Sequence, residues 1–314
     1  MRVLVTGASG FVGRVLCAAL TQAGHEVMRG SRRGDAGEGS VSTGELGPDC
    51  SWFDRIACPE AIVHLAARVH QMDEDPAQAD ELHRIANTEG TLALARHAAA
   101  RGVRRFVFLS SVKVNGEGRA APYRADDAAA PVDAYGRAKA AAEAGLLELA
   151  GQCAMQVVVI RPPLVHGPGV AGNLLSLMRW LQRGVPLPLA AVTHNRRSLV
   201  GIDNLVSLIT LCLTHDAAPG RVWMVSDGED VSTAGLLRRL AVALGMPARL
   251  WPVPVALLRG VAALAGRRAM MQRLCGDLTV DIEATRRLLG WRPPLTLDEG
   301  LRRCAQAFLQ DLPR

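Results

Sequence analysis

Short apolar runs alternate with longer Ala- and Leu-rich stretches through the first half of the chain. VLVT (3–6), HEVM (25–28), AIVHLA (61–66), RRFVFLS (104–110) and VVVIR (157–161) have the length and β-branched content of strands. The intervening stretches 11–22, 75–100 and 134–150 carry the apolar spacing of helices. Strand and helix in alternation predict βαβ units and a parallel sheet. RVWMVSD (221–227) reads as one more strand of that sheet. Residues 30–48 read as a Gly/Ser/Arg-rich loop and 163–197 as irregular. From 229 onward the pattern is of short helices broken at Pro252, Pro254, Pro293 and Pro294.

Composition narrows the class. With 314 residues, 49% hydrophobic and 21% charged, disordered and fibrous classes are excluded. Aromatic residues are only 4%, so the core must be built from Ala, Leu and Val. The net charge of +6 suits anionic ligands. Nucleic acid is excluded as a partner, because the basic residues are interspersed with acids and lack stacking aromatics. The apolar run after Met1 meets glycines too early for a signal peptide, and it reads as a first strand. Val253–Ala265, the most apolar window, is broken by Pro254, Arg259 and Gly260; it reads as a core helix, with no membrane insertion. Seven scattered cysteines without a CxxC pair predict free thiols in the cytoplasm, and no metal site is expected.

The first chemical signal is TGASGFVG, which sets Gly7, Gly10 and Gly13 after a strand and at the head of a helix. Glycine permits the tight turn and a close backbone approach, while the helix start offers N–H groups to phosphates. A bound dinucleotide is expected, lined by Gly7, Ser9, Gly10, Phe11 and Val12. In Tyr135-x-x-x-Lys139 the two side chains share one helix face, one turn apart. The ammonium is expected to lower the phenol's pKa and so enable proton exchange with a carbonyl or carbinol.

The G-x-x-G-x-x-G spacing, followed by SSVKVNG, Y-x-x-x-K, RPPLVHGPG and NRRSLVGIDNLV, resembles the extended short-chain dehydrogenase/reductases of the NAD-dependent epimerase/dehydratase family. The resemblance implies an α/β fold: a doubly wound, mostly parallel Rossmann sheet with a smaller discontinuous C-terminal substrate lobe. Residues 1–162 with 198–228 would form the dinucleotide-binding domain, and 163–197 with 229–314 the lobe. Ser111 takes the catalytic serine position beside Tyr135 and Lys139, while Asn115 stands where the family carries tyrosine. Leu65, Ala66 and Ala67 match a segment that lines the cofactor; His64 before them is read as structural. Ser31 falls where an NAD-binding acid would stand, with Arg29 before it and Arg32 and Arg33 after it. That favours NADP(H), since guanidinium groups bind a 2′-phosphate. NAD(H) stays open, because Asp35 could supply the ribose acid.

The resemblance extends to the lobe. Asn87, Lys113, Asn173, Arg197, Arg273 and Asp277 are the expected contacts to a UDP-sugar, Arg273 standing one residue early in its motif and His166 replacing a tyrosine. The motif set is most similar to bacterial polysaccharide-biosynthesis members acting at C4 of UDP-N-acetylhexosamines. The favoured activity is NADPH reduction of a UDP-4-keto-6-deoxy-N-acetylhexosamine, with Tyr135 as proton donor. The alternatives are a 4-epimerase with tightly held NAD and a non-catalytic NADP-binding regulator. Val112 and Lys113 replace the acid pair that a dehydratase needs. A homodimer through the helices near 81–100 and 134–150 is also implied.

Overall fold

The structure is a computed structural model that describes residues 1–34, 39–69 and 76–311. Its centre is a seven-stranded parallel sheet. The strands are β1 (Arg2–Thr6), β2 (Glu26–Ser31), β3 (Ser40–Ser42), β4 (Ala61–His64), β5 (Arg105–Leu109), β6 (Gln156–Arg161) and β9 (Arg221–Met224). They lie in the order β3-β2-β1-β4-β5-β6-β9. The expected fold class is the one observed. β3 was not expected; it folds out of the Gly-rich loop by pairing with β2 through Arg29, Gly30 and Ser31.

Alternation within each strand divides the core into two faces. Val3 and Val5 pack with Leu16 and Leu20 of α1 (Phe11–Gln22) and with Leu205 and Ile209 of α6 (Ile202–Thr214). Leu4, Ile62, Phe106 and Phe108 face the other way. They meet Leu94 and Ala98 of α3 (Gly90–Ala100) and Ala142 and Leu146 of α4 (Ala134–Ala150). Helices on both faces bury the central strands β1, β4, β5 and β6 almost completely, which is why these runs read as continuously apolar. The predicted helix before β5 is α2 (Pro76–His83) and α3, joined by a π turn at Arg84–Glu89.

A second, three-stranded sheet runs β10-β8-β7, with β7 (Leu164–His166) parallel to β8 (Arg197–Gly201) and β10 (Asp230–Val231) antiparallel. The stretch expected to be irregular therefore holds β7 and also α5 (Gly172–Gln182). Three of its glycines, Gly167, Gly169 and Gly172, have positive φ. Around this sheet, α5, α7 (Thr233–Ala243) and α11 (Leu297–Gln310) enclose a separate apolar core. The remaining helices are α8 (Val255–Leu264), α9 (Arg268–Cys275) and α10 (Glu283–Leu289).

One expectation is reversed here. The apolar window Val253–Ala265 forms α8 not in the core but at the surface, where Ala262 alone of the helix is buried. The lobe core is already filled by Leu177, Leu181, Leu237, Leu240, Leu301 and Phe308, and α8 offers it only one narrow edge.

Candidate active site

The glycine loop after β1 has the shape its sequence demands. Gly7 has φ +70, and a Cβ there would meet the Ala66 amide nitrogen at 2.8 Å. A Cβ on Gly13 would lie 2.2 Å from the Gly7 carbonyl oxygen. Side chains are excluded at both places, so α1 sits tightly on the turn and the Leu65–Ala67 segment closes against it. Gly10 caps α1 without any side-chain acceptor, leaving the N–H groups of the first turn for a ligand. At the C-terminal end of β2 the buried Ser31 hydroxyl has no hydrogen-bond partner among the described residues. A cradle that tolerates no Cβ, an uncapped helix start and an orphaned hydroxyl fit a dinucleotide. Ser9 is exposed at its rim, and Phe11 and Val12 are half-buried.

The cations beside Ser31 are arranged differently from the simplest expectation. Arg32 and Arg33 are exposed, and Arg32 leans to Glu45 at 3.6 Å. Arg29, together with Arg14 of α1, lines a recess of about 430 Å³ next to Ser9. Arg14 was not singled out in sequence, although it follows Gly13 directly. Asp35 lies outside the described residues.

At the end of β4, His64 is buried; Nδ1 meets the Thr6 hydroxyl at 2.7 Å and Nε2 the Thr91 hydroxyl at 3.0 Å. Burial, aided by the nearby charge of Lys139, holds its pKa down at about 3. It is a neutral strut between strand and helix. Asn87, expected to reach substrate, is engaged within the protein. Its Oδ1 accepts from the Arg68 N–H at 2.8 Å, and its Nδ2 donates to the Arg68 carbonyl at 2.9 Å and lies 3.0 Å from His83 Nδ1. The π turn aims the amide inward, where it is spent on fixing the loop after β4.

Tyr135 and Lys139 lie on α4, which starts at Asp133; that carboxylate accepts from the Gly136 N–H at 2.7 Å. The Lys139 ammonium is buried, donates to the Leu109 carbonyl at 2.9 Å, and stands 5.9 Å from the centre of the Tyr135 ring. Burial brings Lys139 down to about 7, against the pull of Glu143. The expected lowering of the Tyr135 pKa is reversed: burial raises it, and the Asp133 carboxylate adds to the rise. The phenol is a held acid. Its ring packs edge-on against His83, 5.9 Å between centres. Ser111 is half-buried at the start of a short 3₁₀ turn, and its hydroxyl oxygen accepts from the Lys113 N–H at 3.2 Å.

Under this group lies a buried ionic network invisible in the motifs. Ser110 donates to Glu143, which Arg161 grips at 2.5 Å, and Arg161 also donates to Asn115 at 3.1 Å. The asparagine that replaces the family's tyrosine thus completes a salt-bridge frame for α4.

Three of the expected substrate cations gather round a carboxylate that was not foreseen, Glu117. Lys113 contacts it at 3.1 Å while also donating to Asp133, and Arg273 approaches at 4.0 Å. Arg197 is half-buried, donates to the Gly276 carbonyl at 3.2 Å, and has its pKa lowered by burial, with Glu117, Arg273 and Asp277 acting on it. Asp277 accepts from the Arg196 N–H at 2.7 Å. Asn173 is exposed in the first turn of α5, with no hydrogen bond to that cluster among the described residues. His166 is buried against Asp227 at 2.7 Å, so it serves the fold.

Residues 3–226 match the model of the NAD dependent epimerase/dehydratase family. The chain belongs to that family. It is 43% identical over 313 residues to a UDP-glucose 4-epimerase of Vibrio cholerae, covering 98% of this chain and 95% of the relative. A 2-alkyl-3-oxoalkanoate reductase of Stenotrophomonas maltophilia is 29% identical, covering 96% of this chain and 98% of the relative. Among solved structures, a Thermotoga maritima UDP-glucose 4-epimerase with UDP-glucose superposes with a TM-score of 0.79 at 22% identity, covering 100% of each chain. RMD of Pseudomonas aeruginosa with NADPH gives 0.76 at 22% identity, covering 98% of this chain and 99% of that one. At these identities the structures establish the fold.

Proposed function

We propose that the chain exchanges a hydride at C4 of a UDP-sugar, and that it works as a reductase. NADPH would convert a UDP-4-keto-6-deoxy-N-acetylhexosamine to a UDP-N-acetylquinovosamine-type product. The observation that carries this reading is the Tyr135 phenol, held protonated one helical turn from the buried Lys139. A bound nicotinamide supplies the hydride. The chain supplies the proton: Tyr135 donates its O–H to the C4 oxygen, and the Lys139 ammonium stabilises the phenolate left behind. The Ser111 hydroxyl, which accepts from Lys113, keeps its own proton to donate to the same oxygen. The upward shift keeps the phenol protonated at rest, so the proton that reduction consumes is already in place.

NADP(H) is supported by Ser31 in place of an acid and by Arg14, Arg29, Arg32 and Arg33 around the end of β2. Arg197, Arg273, Lys113 and Asp277, with Asn173, would receive the nucleotide-sugar, the arginines pairing with diphosphate oxygens. A homodimer through the helices near 81–100 and 134–150 belongs to the same proposal. The second reading is a 4-epimerase with tightly held NAD, favoured by the 43% identity to the Vibrio cholerae enzyme of that name. A non-catalytic regulator is disfavoured by the intact set Ser111, Tyr135 and Lys139.

The deciding experiment is to denature purified protein, identify any released nucleotide, and assay NADPH consumption with a UDP-4-keto-6-deoxy-N-acetylhexosamine. Little bound nucleotide and substrate-dependent NADPH oxidation support the reductase. Stoichiometric NAD with interconversion of C4 epimers and no net oxidation overturns it in favour of the epimerase.

A further inference from the structure

The sequence between Val231 and Gly276 contains seven arginines, no lysine and no aspartate or glutamate. That one segment carries more positive charge than the whole chain's net +6. It also carries several of the large apolar side chains exposed among the described residues. On α8, Leu257, Val261 and Leu264 recur at i, i+4 and i+7, one stripe of a helix, and are 57%, 58% and 92% exposed. Trp251, just before the helix, is 62% exposed.

A second element extends the patch. Leu187 bridges Leu250, and the Trp251 N–H donates to the Leu187 carbonyl at 2.8 Å. This pairing sets the end of α5, with exposed Trp180 and Val185, beside Trp251. Two of the chain's five tryptophans thus stand exposed on adjoining segments. Arg249, Arg259 and Arg267 are exposed here, and none of them lies within ion-pair distance of a carboxylate among the described residues. Arg239, by contrast, is neutralised by Glu229 and Asp298.

Isolated exposed leucines need no explanation, but a helical stripe flanked by tryptophans and exposed arginines does. We infer that this edge of the lobe, α8 with Trp251 and the end of α5, adsorbs to an anionic lipid bilayer. Tryptophan and the aliphatic stripe suit the headgroup boundary, and arginine suits lipid phosphates. Ten residues of helix span about 15 Å, half of a hydrocarbon core of about 30 Å, so α8 lies on the surface and does not cross. Charge argues against a second copy of the chain: a two-fold contact on this patch would set arginines against their own copies, with no acid in the segment to offset them. α9, which packs on α8, ends beside Arg273 and Asp277, so adsorption brings the rim of the proposed substrate cleft to the membrane surface. The inference does not depend on which reaction the cleft performs.

The test is co-sedimentation of the full chain with large unilamellar vesicles, of phosphatidylcholine alone or mixed equally with phosphatidylglycerol. Binding to the mixed vesicles is expected, with weak binding to phosphatidylcholine and release by salt. Leu257→Glu with Leu264→Glu should cut the partition by about tenfold or more, while Arg259→Gln with Arg267→Gln should cost about fivefold for each arginine. Both pairs are exposed, so unchanged circular dichroism and unchanged binding of NADPH or NAD are expected of each. Equal binding to both vesicle types, or a leucine variant that sediments like the parent, overturns the inference. A chain that ignores vesicles but loses a dimer on analytical ultracentrifugation when Leu264 is replaced would make the patch a self-contact, and would overturn it as well.

Discussion

At the scale of single residues, burial decides the protonation states around the candidate site. Tyr135 and Lys139 were expected to act on each other mainly through charge, but desolvation outweighs the attraction: the phenol is raised and the ammonium lowered. Tyr135→Phe removes only the hydroxyl and leaves the ring against His83. Turnover should fall by about a thousandfold, in the range of a lost general acid, with nicotinamide nucleotide affinity changed less than about threefold. Steady-state kinetics and nucleotide titration separate the two quantities, and a parallel loss of binding would make the tyrosine structural. His64 gives a prediction for stability. Its folded pKa of about 3 lies below the ordinary value of 6.5, so between these values the unfolded chain binds a proton that the folded chain refuses. Stability from this group is complete above 6.5 and drains away as pH falls toward 3, by about 1.4 kcal/mol per pH unit. Denaturation midpoints of the parent and of His64→Gln, measured from pH 7 to 4, should converge as the solution is acidified.

At the scale of elements, what sequence revealed and what it concealed follow from one distinction. Strands buried on both faces, and helices begun by Asp133 or by glycine, carry local signals; α1 and α4 are therefore legible to the residue, and β1 to within one. Features that depend on partners distant in sequence are not. β3 exists because β2 offers it an edge, and β7 because β8 returns beside it. Apolar α8 reads as core because composition cannot say that the core is already full. In the site, Gly7, Tyr135 and Lys139 announce themselves by spacing. Glu117 and Glu143 do not, since a lone glutamate becomes informative only when three cations or a buried arginine converge on it. The π turn belongs to the same group, and π turns often mark functional positions. Asn87→Ala would strip both backbone groups of Arg68 of their side-chain partner. A loss of about 1–3 kcal/mol in stability is expected from that change. Weakened nucleotide binding should accompany it, because Leu65–Ala67 closes the glycine loop, while kcat at saturating nucleotide stays within a few-fold. A kcat collapse with normal affinity would mean that the amide meets the substrate after all.

For the whole molecule, the question is what makes two sheets with two cores behave as one body. The connection is a buried polar hub. Asp227, just after β9, takes His166 of β7 on one oxygen; on the other it takes the Gly201 N–H at 2.7 Å and Asn204 Nδ2 at 2.7 Å. Asn204 passes the link on, accepting from the Leu295 N–H at 2.9 Å and donating to its carbonyl at 2.8 Å. α11 then presses on the imidazole so closely that a Cβ on Gly300 would lie 2.5 Å from His166 Cε1. One carboxylate therefore ties the end of the large sheet to β7, β8, α6 and, through Asn204, the approach to α11. Removing it strands three buried donors together, whereas an apolar interface would lose contacts one at a time. Asp227→Ala should cost at least about 3 kcal/mol, because each buried donor left without a partner costs about 1–3 kcal/mol. Asn204→Ala should cost less, and the two losses should fall short of additivity by about 0.5–3 kcal/mol because they share a hydrogen bond. Urea denaturation of the two single variants and the double variant measures this coupling. Strict additivity would mean that the lobes are joined by packing alone, with the hub a consequence of their contact and not its cause.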